Sequence, residues 1–151
     1  MAPTPTSRAA GPGLLEEADL AKASAKVWTG RVISALVCLV FAFSAAMKFK
    51  GGPELEQGMA HLGLPPSMVL PLGLLEVSCV VVYLIPQTAV LGAILLAGYV
   101  GGTICTSWRV GDPFVVQIVL GLLVWLGLWL REPRLRDLLP LRRAPAAKPE
   151  I

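Results

Sequence analysis

The sequence predicts an all-α membrane protein, a four-transmembrane-helix antiparallel bundle with a short interfacial helix between spans one and two. Three observations carry this. Hydrophobic residues fill 55% of the 151 positions and charged residues only 15%, with a mean hydropathy of +0.69, which is too apolar for a soluble domain of this size. The apolar residues fall into four stretches, each long enough for a helix to cross hydrocarbon about 30 Å thick. Between the stretches stand the prolines, glycines and charges that end helices.

Residues 1–13 hold Pro3, Pro5, Gly11 and Pro12 among small polar residues, a composition that predicts a disordered tail. It has no long apolar run before a small-residue cleavage site and does not read as a secretory signal. Residues 14–26 place Glu16, Glu17 and Asp19 early and Lys22 and Lys26 late, in accord with the helix dipole. They predict a short surface helix or a weakly helical tether. The chain thus divides into a tail and surface helix (1–26), a transmembrane domain (27–131) and a basic, proline-rich cytoplasmic tail (132–151).

Span one is expected over residues 28–47 and is stopped by Lys48, Lys50, Gly51, Gly52 and Pro53. Leu55, Met59 and Leu62 then recur at helical spacing, which predicts the interfacial helix over 54–62. Gly63 to Pro66 end it, and span two covers 67–85. Pro86-Gln87-Thr88 is so short a connection that spans two and three, the latter over 88–107, must be antiparallel neighbours. Span three repeats small residues at Ala93/Ala97/Gly101 and Gly98/Gly102, a ridge against which another helix is expected to press. Asp112-Pro113 reads as an N-cap with proline at the first helical position, opening span four over 114–130.

Basic residues orient the bundle. Four spans put Arg8, Lys22, Lys26, Arg31, Arg131, Arg134, Arg136, Arg142, Arg143 and Lys148 on one side and Lys48, Lys50 and Arg109 on the other. Ten against three predicts a multi-pass protein of the bacterial cytoplasmic (inner) membrane with both termini cytoplasmic.

One ionisable residue stands deep in an apolar span. Glu76, nine residues before Ile85, lies about 13–14 Å from the cytoplasmic boundary, where a charge needs compensation. Tyr99 falls at nearly the same depth on the neighbouring span and is the first candidate to donate a hydrogen bond to it. Toward the outer end gather Ser44, Lys48, His61, Thr103, Thr106, Ser107, Arg109, Asp112 and Gln117. Taken singly, Asp112 reads as a cap, Lys48 as a snorkelling residue and His61 as solvated. Taken together, they read as the wall of a small-ligand pocket, whose expected members are Glu76, Tyr99, Lys48, Thr103, Arg109, Asp112, Gln117 and Ser44.

Several chemistries are missing from the sequence. It has no glycine-rich phosphate loop, no basic patch interleaved with aromatics for nucleic acid, and no ligand set at metal spacing. His61 is the single histidine, so neither bis-histidine haem nor a Ser/His/Asp centre is expected, and no metal. Cys38, Cys79 and Cys105 lie apart in apolar surroundings and read as packing residues.

The run from Gly73 through Glu76, Leu84-Ile85-Pro86 and Gly98-Tyr99-Val100-Gly101-Gly102 to Arg109-Val110-Gly111-Asp112-Pro113 resembles the DoxX-like family of small four-helix bacterial membrane proteins. A looser similarity reaches from Arg31 to Arg143. The resemblance implies a four-helix membrane fold with Lys48, Glu76, Tyr99, Arg109 and Asp112 at motif positions. Relatives that gave the family its name are associated with thiosulfate:quinone oxidoreductase, which implies a redox setting by analogy of fold. The family commonly has Thr-His before the Arg-x-Gly-Asp turn; here Thr106 is followed by Ser107 and Trp108.

Three functions fit these residues. The first is an accessory subunit that binds a small lipophilic molecule, a quinone among the candidates, for a membrane redox process, and not a stand-alone enzyme. The second is a non-catalytic interaction or assembly protein, with the bilayer and membrane proteins as partners. The third is a small proton-coupled transporter using Glu76.

Overall fold

In the computed structural model, residues 12–133 and 135 are described, and among them all regular structure is helical. The expected tails over 1–13 and 132–151 lie almost wholly outside the described residues. Five helices follow one another: α1 (Pro12–Lys50), α2 (Pro53–His61), α3 (Val69–Leu84), α4 (Ala89–Val110) and α5 (Val115–Arg131). Short 3₁₀ turns at Pro66–Met68 and Pro86–Thr88 lead into α3 and α4.

Where the sequence suggested a surface helix and then a span, α1 is one helix of 39 residues, about 58 Å long. No proline stands between Lys22 and Trp28, and Gly30 alone does not break it, because α5 packs onto that glycine. Three helical segments, Asp19–Lys50, Pro66–Leu84 and Pro86–Val110, are long and apolar enough to cross a membrane; α5 is apolar but shorter, at 17 residues.

α1 packs on α3 and α5, and α4 packs on the same two, so the four long helices close a ring. Close contacts give its register. Along α1 and α5, Gly30 meets Arg131 and Ser34 meets Gly127. Along α1 and α3, Ser34 meets Tyr83, Ser44 meets Glu76, and Lys48 meets Gly73. Gly92 meets Tyr83 between α3 and α4, while Val100 meets Gly121 and Ser107 meets Gln117 between α4 and α5. Each pair is antiparallel.

The end of the ring near Pro86 is sealed. A Cβ on Gly92 would lie 2.3 Å from the Tyr83 backbone, and one on Gly30 would lie 2.6 Å from the Arg131 nitrogen, so only glycine permits these approaches. Tyr83 is fully buried; its hydroxyl donates to the Val124 carbonyl at 2.9 Å and therefore accepts from Ser34 at 3.0 Å. Arg131 ties in from above, donating to the Tyr83 carbonyl at 2.7 Å with its guanidinium 4.5 Å from the ring centre. Tyr83→Phe is expected to lower stability by about 1–2 kcal/mol, read by denaturant unfolding in detergent.

The predicted ridge on span three is only partly a packing surface. Gly92 and Ala93 are buried against neighbours, whereas a Cβ on Gly98, Gly101 or Gly102 would meet nothing within 4 Å. Four-residue spacing marks small residues without saying whether a helix lies over them.

Candidate functional site

Away from the seal, the ring widens around a cavity of about 1020 Å³. Its floor stands at the level of Phe41 on α1, Glu76 on α3, Tyr99 on α4 and Leu120 on α5. Beneath that floor the bundle is filled by Val37, Cys38, Cys79, Val80, Leu96 and Val124, all buried.

Glu76 is 1% exposed, and its compensation comes chiefly from α1. Lys48 Nζ donates to Glu76 Oε2 at 2.8 Å and to Ser44 Oγ at 2.7 Å, and Ser44 Oγ donates to the same carboxylate oxygen at 3.3 Å. The Lys48 side chain is itself only 13% exposed. Two features of sequence allow this. Ser44 and Lys48 are four residues apart, hence on one face of α1. Gly73, one turn before Glu76 on α3, lets the Lys48 Cβ come to 3.4 Å from where a Cβ would stand. The ammonium then reaches one turn inward along its own four-carbon stem.

Tyr99, expected as the first partner of Glu76, stands with it at the cavity floor and packs edge-on to Phe41, with ring centres 6.2 Å apart. Depth alone pointed to Tyr99 because depth was counted at the backbone. It placed Lys48 at the outer end, where its Cα is, and not at the floor, where its charge is.

The outer rim is built from loops. Asp112 is not a helix cap: α5 starts at Val115 with no side-chain cap, and the Asp112 carboxylate instead meets His61 Nε2 at 3.1 Å. Gly111, at φ +80°, ends α4 and turns the chain so that Asp112 points back to α2. Arg109 donates to the Leu62 carbonyl. These two clamps hold α2 and the loop after it over the cavity's outer end.

Seven of the eight expected site residues therefore face one cavity: Ser44, Lys48, Glu76, Tyr99, Thr103, Asp112 and Gln117. Arg109 does not line it and acts on the rim. Thr103 gives its hydroxyl proton to the Val100 carbonyl, so it offers the cavity only lone pairs. Gln117 Nε2 donates to Ser107 at 3.3 Å, while its buried Oε1 finds no partner among the described residues. The expected pocket members include no residue of α2, whose Leu55 and Met59 line the cavity together with Leu62 just after it. Their spacing was legible, but an apolar stripe on a short helix suits lipid as well as a cavity wall.

The family model described as the DoxX-like family matches residues 32–130. The chain belongs to the DoxX-like family. No curated protein and no solved structure is significantly similar to it. The matched region of this DoxX-like protein contains α2 to α4, nearly all of α5, and the part of α1 that bears Ser34, Ser44 and Lys48. With its apolar helices, that membership makes it a helical membrane protein in a lipid environment.

Proposed function

We propose that this protein crosses the bacterial cytoplasmic membrane four times with both termini inside, and that its cavity holds a small lipophilic molecule as an accessory subunit of a membrane redox process. The observation that carries the reading is the buried Ser44–Lys48–Glu76 cluster at the floor of a mostly apolar cavity. Two of the three Lys48 protons are engaged, which leaves one donor for a ligand. Such a floor suits the carbonyl of a quinone. The residues proposed to form the pocket are Glu76, Lys48, Ser44, Tyr99, Thr103 and Gln117, with Asp112 at its rim and Arg109 clamping that rim.

α5 is the proposed fourth span. At 17 residues it extends about 25 Å, packs antiparallel to α1 and α4, and ends in Arg131, which suits an interface. α2 is proposed to lie at the outer membrane surface. The packed region between the cavity floor and Tyr83 favours holding a molecule over passing one across.

The test is co-purification. The protein extracted in mild detergent is expected to carry a lipophile detectable by mass spectrometry, and Glu76→Gln is expected to lose about 90% of it, tenfold in affinity being about 1.4 kcal/mol. Equal retention by both proteins would remove the ligand role of the floor.

A further inference from the structure

Two parts of the cavity boundary differ in kind. The outer one lies beneath α2 and is crossed by the His61–Asp112 pair and the Arg109–Leu62 contact. The second lies between α3 and α4. These helices are pressed together at Gly92 and Tyr83, but further along the pair Gly98, Gly101 and Gly102 meet no neighbour. Gly98 and Gly102 are exposed and also line the cavity, and so does Leu75 across the gap on α3, at 49% exposure. The α4 side of the wall thus carries no side chain at Gly98 or Gly102, a slot beside the cavity that holds Lys48 and Glu76.

Wall charges narrow what suits that slot. Lys48 is neutralised by Glu76, and the other acidic or basic lining groups besides the Tyr99 phenol are Glu54, Asp112 and His61. An anionic head would meet a lysine already paired and two further carboxylates, whereas a neutral hydroxyl or carbonyl finds unpaired donors and acceptors.

We propose that the cavity is loaded sideways from the lipid phase through the slot between Leu75 on α3 and Gly98 and Gly102 on α4, and that its ligand is an electrically neutral amphiphile. This rests on the pocket reading above. It adds the route and the charge class, neither of which that reading requires.

The full chain would be reconstituted in phosphatidylcholine vesicles holding a diazirine-bearing long-chain alcohol, or the carboxylic acid of the same chain. Timed light pulses followed by peptide mass spectrometry then give the labelling rate of cavity residues. The alcohol is expected to label them at least about tenfold more than the acid. Gly98→Leu/Gly102→Leu, which fills open space, is expected to slow labelling by about a decade or more. Leu75→Trp narrows the same slot from α3 and is expected to slow it likewise, which keeps the test intact if the α4 variant fails to insert.

Unchanged rates in the slot variants, above all if Arg109→Gln speeds labelling by freeing the rim, would place entry at the outer end and overturn the route. Preference for the acid would overturn the charge class. If neither probe labels the wild-type cavity, this proposal falls; whether the pocket reading falls with it is decided separately by the lipophile that co-purifies with wild type and not with Glu76→Gln.

Discussion

Lys48→Met is expected to destabilise the bundle by about 3–5 kcal/mol, and Glu76→Leu by a similar amount, while the double variant recovers most of the loss. Each single change leaves one buried charge without its partner. The double change substitutes apolar groups of similar size for both. Unfolding free energies measured by steric trapping in bicelles would give the coupling energy from the cycle. Additive losses would mean that the pair does not hold α1 to α3. The double variant also separates two roles of Glu76, since a protein that keeps its fold but no longer retains a lipophile uses the cluster for binding and not only for cohesion.

Gly92→Ala is the second large effect. The added Cβ would stand 2.3 Å from both the Cα and the nitrogen of Tyr83, and no rotamer change relieves a clash between two backbones. The helices must part, which loosens the Tyr83 contacts with Ser34, Val124 and Arg131. A loss of about 3 kcal/mol or more is expected. Gly98→Ala is the control: its Cβ meets nothing, and removing a mid-helix glycine is expected to leave stability unchanged or raise it by about 0.5–1 kcal/mol. Equal effects of the two variants in the same unfolding assay would contradict the distinction between a sealed and an open end.

These two glycines show where reading along the chain stops. Gly92 and Gly98 lie on one apolar helix among similar neighbours, and nothing local distinguishes the one under Tyr83 from the one beside the cavity. Tyr83 is equally hard to single out in the chain, since a tyrosine near the end of an apolar helix suits an interface anchor as well as a buried residue with three partners around it. Asp112-Pro113 was misleading in the opposite direction. A strong local signal for a cap was overridden because Gly111 turns the carboxylate toward His61.

The sequence by itself determined the solvent, the long apolar helices, the antiparallel hairpin of α3 and α4, and the family. Hydropathy, helix breakers and a three-residue connection are properties of neighbouring residues, so they are legible in order. It also singled out Glu76, because a carboxylate among valines and leucines is anomalous in any fold. Only the tertiary structure decided that Lys48 is the counter-charge, that α2 covers the cavity and that Gly98 and Gly102 stand beside open space. Those depend on the rotation and register of helices far apart in the chain, which are set jointly by Gly30, Gly73, Gly92 and Gly127 at the contacts and by a flexible lysine stem that carries its charge a turn away from its backbone.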